Sequence, residues 1–161
     1  MTSQNLALSD HADHASHTAR TAHRDNALSY LLVADDTAFG ELELAIAALP
    51  LCARGRVFVE VQSASDVGVL AVPPRMTVSW LVRDSRSGAP GTAESCHRGT
   101  AMERAATAWA SEMLCGEVGD AHVWLAGEYR GVAAIHEFLT ESLGLPAGVV
   151  TTREAYRLGV H

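Results

Sequence analysis

The sequence predicts an α/β fold: a doubly wound, mainly parallel, five-stranded sheet of the Rossmann-like type. Strand-like and helix-like segments alternate from Ser29 onward, which is typical of a parallel sheet covered by helices on both faces. The 161 residues suffice for one substantial core but not for two ordinary domains. The first apolar run also stops at two carboxylates and a threonine and continues into a helical pattern, as strands do where they border a nucleotide crevice.

The first strand and helix are predicted on either side of the turn Ala34-Asp35-Asp36-Thr37. Ser29–Ala34 is the predicted strand, and the following helix is predicted over residues 36–49. Asp36 stands at the start of that helix, where a carboxylate can cap free amides, and Pro50 ends it. Apolar residues recur at i, i+3 and i+4 spacing and so share one helix face: Phe39, Leu42, Ala45, Ile46 and Leu49.

The remaining elements follow in the same alternation. β-branched and aromatic residues predict two strands joined by a short connection at residues 63–70, and a turn-rich loop follows them at residues 84–91. A long helix, a fourth strand, the turn Gly127-Glu128, another helix ended by Leu143-Gly-Leu-Pro146 and a fifth strand complete the pattern. The predicted ranges are strands 56–61, 76–82, 121–126 and 149–152 and a helix from about 93 to 114.

Residues 1–28 are predicted to be a polar, His- and Ala-rich tail, and residues 29–161 the folded domain. His11, His14 and His17 would align on one helix face and could hold a metal, but a polar surface segment is the simpler interpretation, and no metal site is assigned. No apolar signal region precedes the domain, so the cytoplasm is the expected compartment.

Composition excludes several classes of function. The formal net charge is −7, with scattered arginines and no lysine, so a nucleic-acid surface is not expected. No apolar run is long enough to span a bilayer. Cys52, Cys96 and Cys115 lack paired-cysteine spacing and are interpreted as free thiols, with an activated thiol as the less favoured alternative.

Right-handed crossovers favour a topology in which the first and fourth strands are neighbours. This brings together the turns 34–37 and 126–128 at the carboxyl ends of those strands. The first turn carries carboxylates instead of the glycines of a dinucleotide loop, while Thr37 can donate a hydrogen bond and Gly127 directly precedes a helix. No nucleophile-and-base pair or metal motif stands out, so no catalytic residue is assigned and any chemistry must come from a cofactor.

Seven residues near these turns and strand ends are candidates for the site, most with a structural alternative. Asp35, Asp36 and Glu128 suit a turn or helix cap as well as a ligand contact, and Gly127 suits a tight turn. Glu60 ends the second strand, where an acid can read a ribose 2′-hydroxyl and so slightly favours NADH over NADPH. Arg83 can reach a phosphate or remain solvated. The candidates for cofactor binding are Asp35, Asp36, Thr37, Glu60, Arg83, Gly127 and Glu128.

The ordered series of segments resembles the C-terminal domain of siderophore-interacting proteins. The resemblance rests on Tyr30-Leu-Leu-Val-Ala-Asp-Asp-Thr-Ala, Arg54-Gly-Arg-Val-Phe-Val-Glu-Val, Val78-Ser-Trp-Leu-Val-Arg-Asp, Val123-Trp-Leu-Ala-Gly-Glu and Ala155-Tyr-Arg-Leu-Gly. It covers residues 29–159. The sequence departs from the family at Ala34, where a glycine is usual, and at Asp36, where a glutamate is usual.

The resemblance implies the nicotinamide half of a ferredoxin-reductase-like flavoprotein. In that family an N-terminal barrel holds FAD, and the C-terminal domain binds NAD(P)H. Hydride passes from the nicotinamide to the flavin, and electrons from the flavin then reduce the Fe(III) of a siderophore to Fe(II). The residues before Ser29 are too few for a flavin barrel, so a separately encoded FAD-binding domain is the expected partner. The resemblance also implies that Tyr156 binds the cofactor by covering the flavin or nicotinamide side, and that Arg157 binds the substrate. The alternative is a non-catalytic interaction or dimerisation module that keeps the fold.

Overall fold

The computed structural model describes residues 28–88, 90–114 and 121–158. The predicted N-terminal tail with its three regularly spaced histidines, and Cys115, lie outside these ranges. Cys52 and Cys96 are both free thiols, the former exposed and the latter buried. None of the helices in the described ranges has the length and apolar character needed to cross a lipid bilayer.

Five parallel strands form the sheet, which confirms the predicted fold class. They are β1 (Ser29–Asp35), β2 (Arg54–Val61), β3 (Arg75–Val82), β4 (Ala121–Leu125) and β5 (Val150–Thr152), in the order β3-β2-β1-β4-β5. The chain therefore extends the sheet in one direction from β1 to β3 and then returns to build on the other side of β1. This reversal places the topological switch point between β1 and β4, as the sequence predicted.

Helices cover both faces of the sheet. The first helix, α1 (Phe39–Ala47), packs Leu42 and Ile46 on one face, and α2 (Thr100–Met113) and α3 (Tyr129–Glu137) pack on the other. The inner strands β1 and β2 are buried on both sides over their carboxyl-terminal halves, which explains their nearly continuous apolar runs. Between β2 and β3 the chain forms only a short 3-10 turn at Ala64–Asp66, so the predicted short connection is confirmed.

Two predicted helix starts were wrong. The turn Asp36–Ala38 is a 3-10 turn capped by the side chain of Asp35, so Asp36 is not the cap, and α1 begins only at Phe39. The helix predicted from about residue 93 begins at Thr100, because Gly99 has φ = 89° and interrupts the helical backbone. Beyond α3 a π-helical turn at Phe138–Ser142 ends the helix, close to the predicted end at Leu143.

The N-termini of α2 and α3 approach each other through two glycines. A Cβ on Gly131 would lie 2.8 Å from the Cα of Gly99, and a Cβ on Gly99 would lie 2.7 Å from the Glu128 carboxylate. Larger residues therefore cannot occupy these positions without moving the helices apart. This contact fixes two helix N-termini side by side at the carboxyl edge of the sheet.

Candidate functional site

The turns after β1 and β4 are joined by one buried carboxylate. Asp35 is 0% exposed. Its Oδ1 accepts hydrogen bonds from the Thr37 amide (2.9 Å) and hydroxyl (2.5 Å), and its Oδ2 accepts from the Glu128 amide at 2.8 Å. The two turns predicted to meet do so, and Asp35 is the residue that ties them together.

Gly127 and Tyr156 close the same junction. Gly127 has φ = 121°, and a Cβ there would lie 2.7 Å from the Asp35 Cγ atom. The Tyr156 hydroxyl donates to the Gly127 carbonyl at 2.6 Å and lies 3.2 Å from the Gly127 amide. The C-terminal segment is thereby attached to the carboxyl end of β4, with the Tyr156 ring edge-to-face against Tyr129 at 5.7 Å.

Glu60, at the end of β2, caps α2 from a distance in sequence. Its Oε1 accepts from the Gly99 amide at 2.8 Å and its Oε2 from the Met102 amide at 2.9 Å. Arg83 donates to Glu60 Oε1 at 3.1 Å and to Gln62 Oε1 at 2.6 Å. Because Glu60 is 0% and Arg83 3% exposed, this is a buried, hydrogen-bonded ion pair at a helix N-terminus.

Asp36 extends this network to the surface. Its carboxylate lies 3.6 Å from Arg83 and 3.2 Å from Arg98. Arg98 is exposed and precedes Gly99 at the start of α2. Asp36 therefore links a buried cation to an exposed one.

Carboxylates of the chain itself occupy five backbone amides at this edge. Asp35 binds the amides of two residues, Glu60 those of two more, and Glu128 accepts from the Gly131 amide at 2.8 Å. Such amides at helix N-termini are the usual partners of a bound phosphate. These five amides are therefore not available to a phosphate, which makes the exposed side chains beside them its candidate partners.

Those side chains line a depression of about 440 Å³ between the N-termini of α2 and α3. Arg98 and Arg130 are exposed at its margins, and Thr100 adds a hydroxyl. Within the part of the chain that the structure describes, the Arg130 side chain has no hydrogen bond or ion pair. The full lining is His97, Arg98, Gly99, Thr100, Glu103, Glu128, Arg130 and Gly131. Two guanidinium groups beside a hydroxyl are suited to an anion.

An ion pair holds the C-terminal segment against α1. Arg153 donates to both carboxylate oxygens of Glu41, at 2.6 and 2.9 Å, and to the Tyr156 hydroxyl at 3.0 Å. These hydrogen bonds hold the pKa of Glu41 below its usual value. Since a lowered carboxyl pKa stabilises the fold above the unfolded-state pKa, this contribution is lost as the pH falls through the folded-state pKa.

Comparison with known proteins identifies the family. A model of the family described as siderophore-interacting protein matches residues 27–154. The chain belongs to the siderophore-interacting protein family. Two uncharacterized proteins, from Mycobacterium tuberculosis and Mycobacterium bovis, are each 33% identical to this chain over 104 residues, which is 64% of this chain and 34% of theirs.

Two solved structures are similar to this chain. The siderophore-interacting protein SipS from Aeromonas hydrophila has a TM-score of 0.53 at 21% identity, covering 77% of this chain and 49% of that one. A siderophore utilization protein from T. fusca has a TM-score of 0.52 at 28% identity, covering 83% and 46%. The chain spans about a third of the curated relatives it matches and about half of these two structures.

The structure brings most of the candidate residues of this family member into one network. Asp35, Thr37, Gly127, Glu128 and Tyr156 meet at the β1–β4 junction, and Asp36, Glu60 and Arg83 adjoin it. Arg157 is exposed, with φ = 51° and no side-chain contact to the network in the described ranges. Cofactor contacts at these residues stay predictions, although the burial of Glu60 removes the exposure that a ribose contact requires.

Sequence reasoning missed Arg98, Arg130 and Arg153. Arg98 was missed because the predicted helix from residue 93 would place Arg98 in its interior, whereas α2 begins after it. The pattern Gly99-Thr100 with Glu103 three residues after Thr100 resembles a capped helix start and could have indicated the correct position. Arg130 and Arg153 act through contacts or pockets that only the tertiary fold creates.

Proposed function

We propose that this domain binds NAD(P)H at the carboxyl edge of the sheet and delivers its hydride to a flavin held by an FAD-binding partner domain, which then reduces a ferric siderophore. The observation that carries the proposal is the depression between α2 and α3, with two exposed arginines beside the β1–β4 switch point. Open α/β sheets bind their ligands at this point. Family membership supports the same activity.

The exposed side chains beside this network fit the diphosphate of a dinucleotide. Arg98 and Arg130 can pair with a diphosphate, and Thr100 can donate to it. Arg98 forms an ion pair with Asp36 at 3.2 Å. Binding a diphosphate would therefore replace this partly exposed ion pair with one between Arg98 and the diphosphate. The buried carboxylates Asp35 and Glu60 hold the turns and α2 in place around the ligand and do not contact it.

Aromatic side chains lie beyond the diphosphate position, toward β4. Tyr129 is 51% exposed and packs against Tyr156, whose hydroxyl is fixed by Gly127 and Arg153. When bound, NAD(P)H supplies the hydride. The chain's own contribution is to orient the cofactor, with the tyrosine pair providing an apolar surface for the nicotinamide or flavin ring.

Calorimetric titration with NADH and NADPH tests the proposal directly. Binding of at least one dinucleotide in the micromolar range is expected, and adding a flavin-loaded FAD-binding domain of the family is expected to produce dinucleotide oxidation. The absence of heat with both dinucleotides at millimolar concentration would contradict the proposal.

The variant Arg130→Gln is expected to weaken the binding of NADH and NADPH equally. Loss of one charge-assisted hydrogen bond changes a dissociation constant by about tenfold to a hundredfold. The matched control is Arg75→Gln, which removes an exposed arginine at the amino end of β3, on the opposite edge of the sheet. Unchanged affinity in Arg130→Gln would remove Arg130 from the site.

A second candidate function is an interaction module, which an exposed apolar surface favours. Leu44, Leu51 and Val69 are 73%, 86% and 96% exposed, next to a groove of about 430 Å³ between α1 and residues 70–74. A cluster of exposed apolar side chains is typical of an interface. We expect this surface to pair with a second copy of the chain.

Light scattering over a range of protein concentrations tests this second candidate. The wild-type domain is expected to show concentration-dependent dimers, which Leu51→Glu should abolish because it places a charge in the apolar contact. The variant Glu112→Gln, on α2 on the opposite face of the sheet, serves as the control. A wild-type monomer at every concentration would exclude self-association through this surface.

A further inference from the structure

A second basic pocket lies on the other flank of α2. It has a volume of about 400 Å³ and is lined by Arg86, Ser87, Cys96, Ala101, Arg104 and Ala105. Arg86 and Ser87 follow the end of β3, so this pocket also opens at the carboxyl edge of the sheet. It is distinct from the depression between α2 and α3.

The charge of this pocket is unusual for so acidic a chain. The protein has 19 carboxylates and 12 basic residues, yet no carboxylate is among the residues that line the pocket. Arg104 is positioned by a hydrogen bond to the Ser87 carbonyl at 3.3 Å. The Arg86 side chain has no ion pair or hydrogen bond within the described ranges. Two exposed guanidinium groups and a serine hydroxyl therefore face a space that suits a phosphate.

The two basic pockets lie beside the same stretch of α2. Thr100 lines the first pocket, and Arg104, which lines the second, follows it by one turn of α2, a rise of about 6 Å. In NADPH the diphosphate and the 2′-phosphate are carried by the same ribose. A diphosphate in the first pocket therefore leaves the 2′-phosphate within reach of the second, on the β3 side.

Glu60 does not favour NADH over NADPH in this structure. An acid at the end of the second strand normally favours a free 2′-hydroxyl, but the Glu60 carboxylate is 0% exposed and bound to two amides and Arg83. It neither repels a 2′-phosphate by direct contact nor receives a 2′-hydroxyl. The sequence indicated a weak preference for NADH because of Glu60, and this residue is not exposed to a ligand.

We propose that Arg86 and Arg104 form a binding site for the 2′-phosphate of adenosine and select NADPH over NADH. The inference rests on the proposed dinucleotide site and adds its specificity. Each guanidinium group contributes a charge-assisted hydrogen bond to the phosphate that NADH lacks, which corresponds to about tenfold to a hundredfold in affinity.

Calorimetric titration with four ligands tests this site: NADPH, NADH, adenosine 2′,5′-bisphosphate and ADP. We expect NADPH to bind at least about tenfold more tightly than NADH, and the bisphosphate to bind where ADP binds weakly. Each of the variants Arg86→Gln and Arg104→Gln is expected to lower the affinity for NADPH by about tenfold to a hundredfold and to leave NADH binding unchanged. The double variant is expected to bind NADPH no more tightly than NADH.

Arg130→Gln is the variant to compare with Arg86→Gln and Arg104→Gln. Arg130 lines the proposed diphosphate pocket, so its loss should weaken the binding of NADH and NADPH equally. Equal affinity of the wild-type domain for NADH and NADPH would overturn this inference and leave the proposed function standing. An equal loss of affinity for NADH and NADPH in Arg104→Gln would also overturn this inference. Failure of every ligand to bind would overturn the proposed function and this inference together.

Discussion

Replacing Glu60 by glutamine is expected to lower the free energy of unfolding by about 3–5 kcal/mol, the range for breaking a buried ion pair. Arg83 would remain 3% exposed with its closest carboxylate at Asp36, 3.6 Å away. A guanidinium group buried without adequate compensation is costly because it has lost its hydration.

The substitution also removes the cap of α2. The Glu60 carboxylate binds the amides of Gly99 and Met102 through separate oxygens, whereas glutamine has one oxygen and one amino group. The NH2 group of the glutamine side chain would point its N–H donors at a backbone N–H, which is also a donor. The neutral side chain would also no longer complement the positive end of the helix. Both losses affect the region that shapes the proposed diphosphate pocket.

Urea unfolding followed by circular dichroism measures the effect, provided that the slope with denaturant is unchanged. The matched control is Glu103→Gln, which removes a half-buried carboxylate from the first turn of the same helix. Its expected cost is at most about 1 kcal/mol, the usual value for a charge at a helix end. Similar costs for the two variants would show that burial of the Glu60–Arg83 pair does not govern its contribution.

The fold could be predicted from the sequence because local signals agreed with one another. The run after Arg54 is rich in β-branched residues, and the run after Ser29 is short and stops at two carboxylates, so both suit strands. Leu42 and Ile46 have the spacing of a helix. The start of α2 could not be predicted in the same way. Its boundary depends on the backbone of Gly99, which is held by the Glu60 carboxylate 39 residues away in sequence.

The site could be located but its contacts could not be assigned. Strand order alone brings Asp35 and Glu128 together, and their hydrogen bond is observed at 2.8 Å. Whether a carboxylate faces a ligand or the backbone depends on its burial, which no local pattern records. For the same reason Arg86 and Arg104 were inconspicuous in the sequence, since they form a pocket only when α2 packs beside the segment after β3.

Replacing Gly127 by alanine is expected to cost about 2–5 kcal/mol, from two sources. Its φ of 121° is strained for any residue with a Cβ, and the added methyl group would lie 2.7 Å from the Asp35 Cγ atom. Asp35 cannot turn aside cheaply because its carboxylate is buried and accepts three hydrogen bonds. Thermal and urea unfolding measure the cost.

Substitutions at two other glycines distinguish backbone strain from steric overlap. Gly144 has φ = 68° and no atom within 4 Å of an added Cβ, so Gly144→Ala should carry only the backbone cost of about 1–2 kcal/mol. Gly40, inside α1, also has open space and no positive φ, and Gly40→Ala should stabilise the domain by about 0.4–1 kcal/mol. A cost for Gly127→Ala no greater than that for Gly144→Ala would show that the contact with Asp35 is unimportant.

A double-mutant cycle identifies Asp35 as the group that Gly127→Ala disturbs. Alone, Asp35→Ala should cost about 1–3 kcal/mol because it leaves the amides of Thr37 and Glu128 without their acceptor. If the methyl group of Ala acts by displacing that same carboxylate, the double variant should be destabilised by clearly less than the sum of the two single changes. Additive costs would instead place the strain in the backbone and in the two hydrogen bonds between Gly127 and Tyr156.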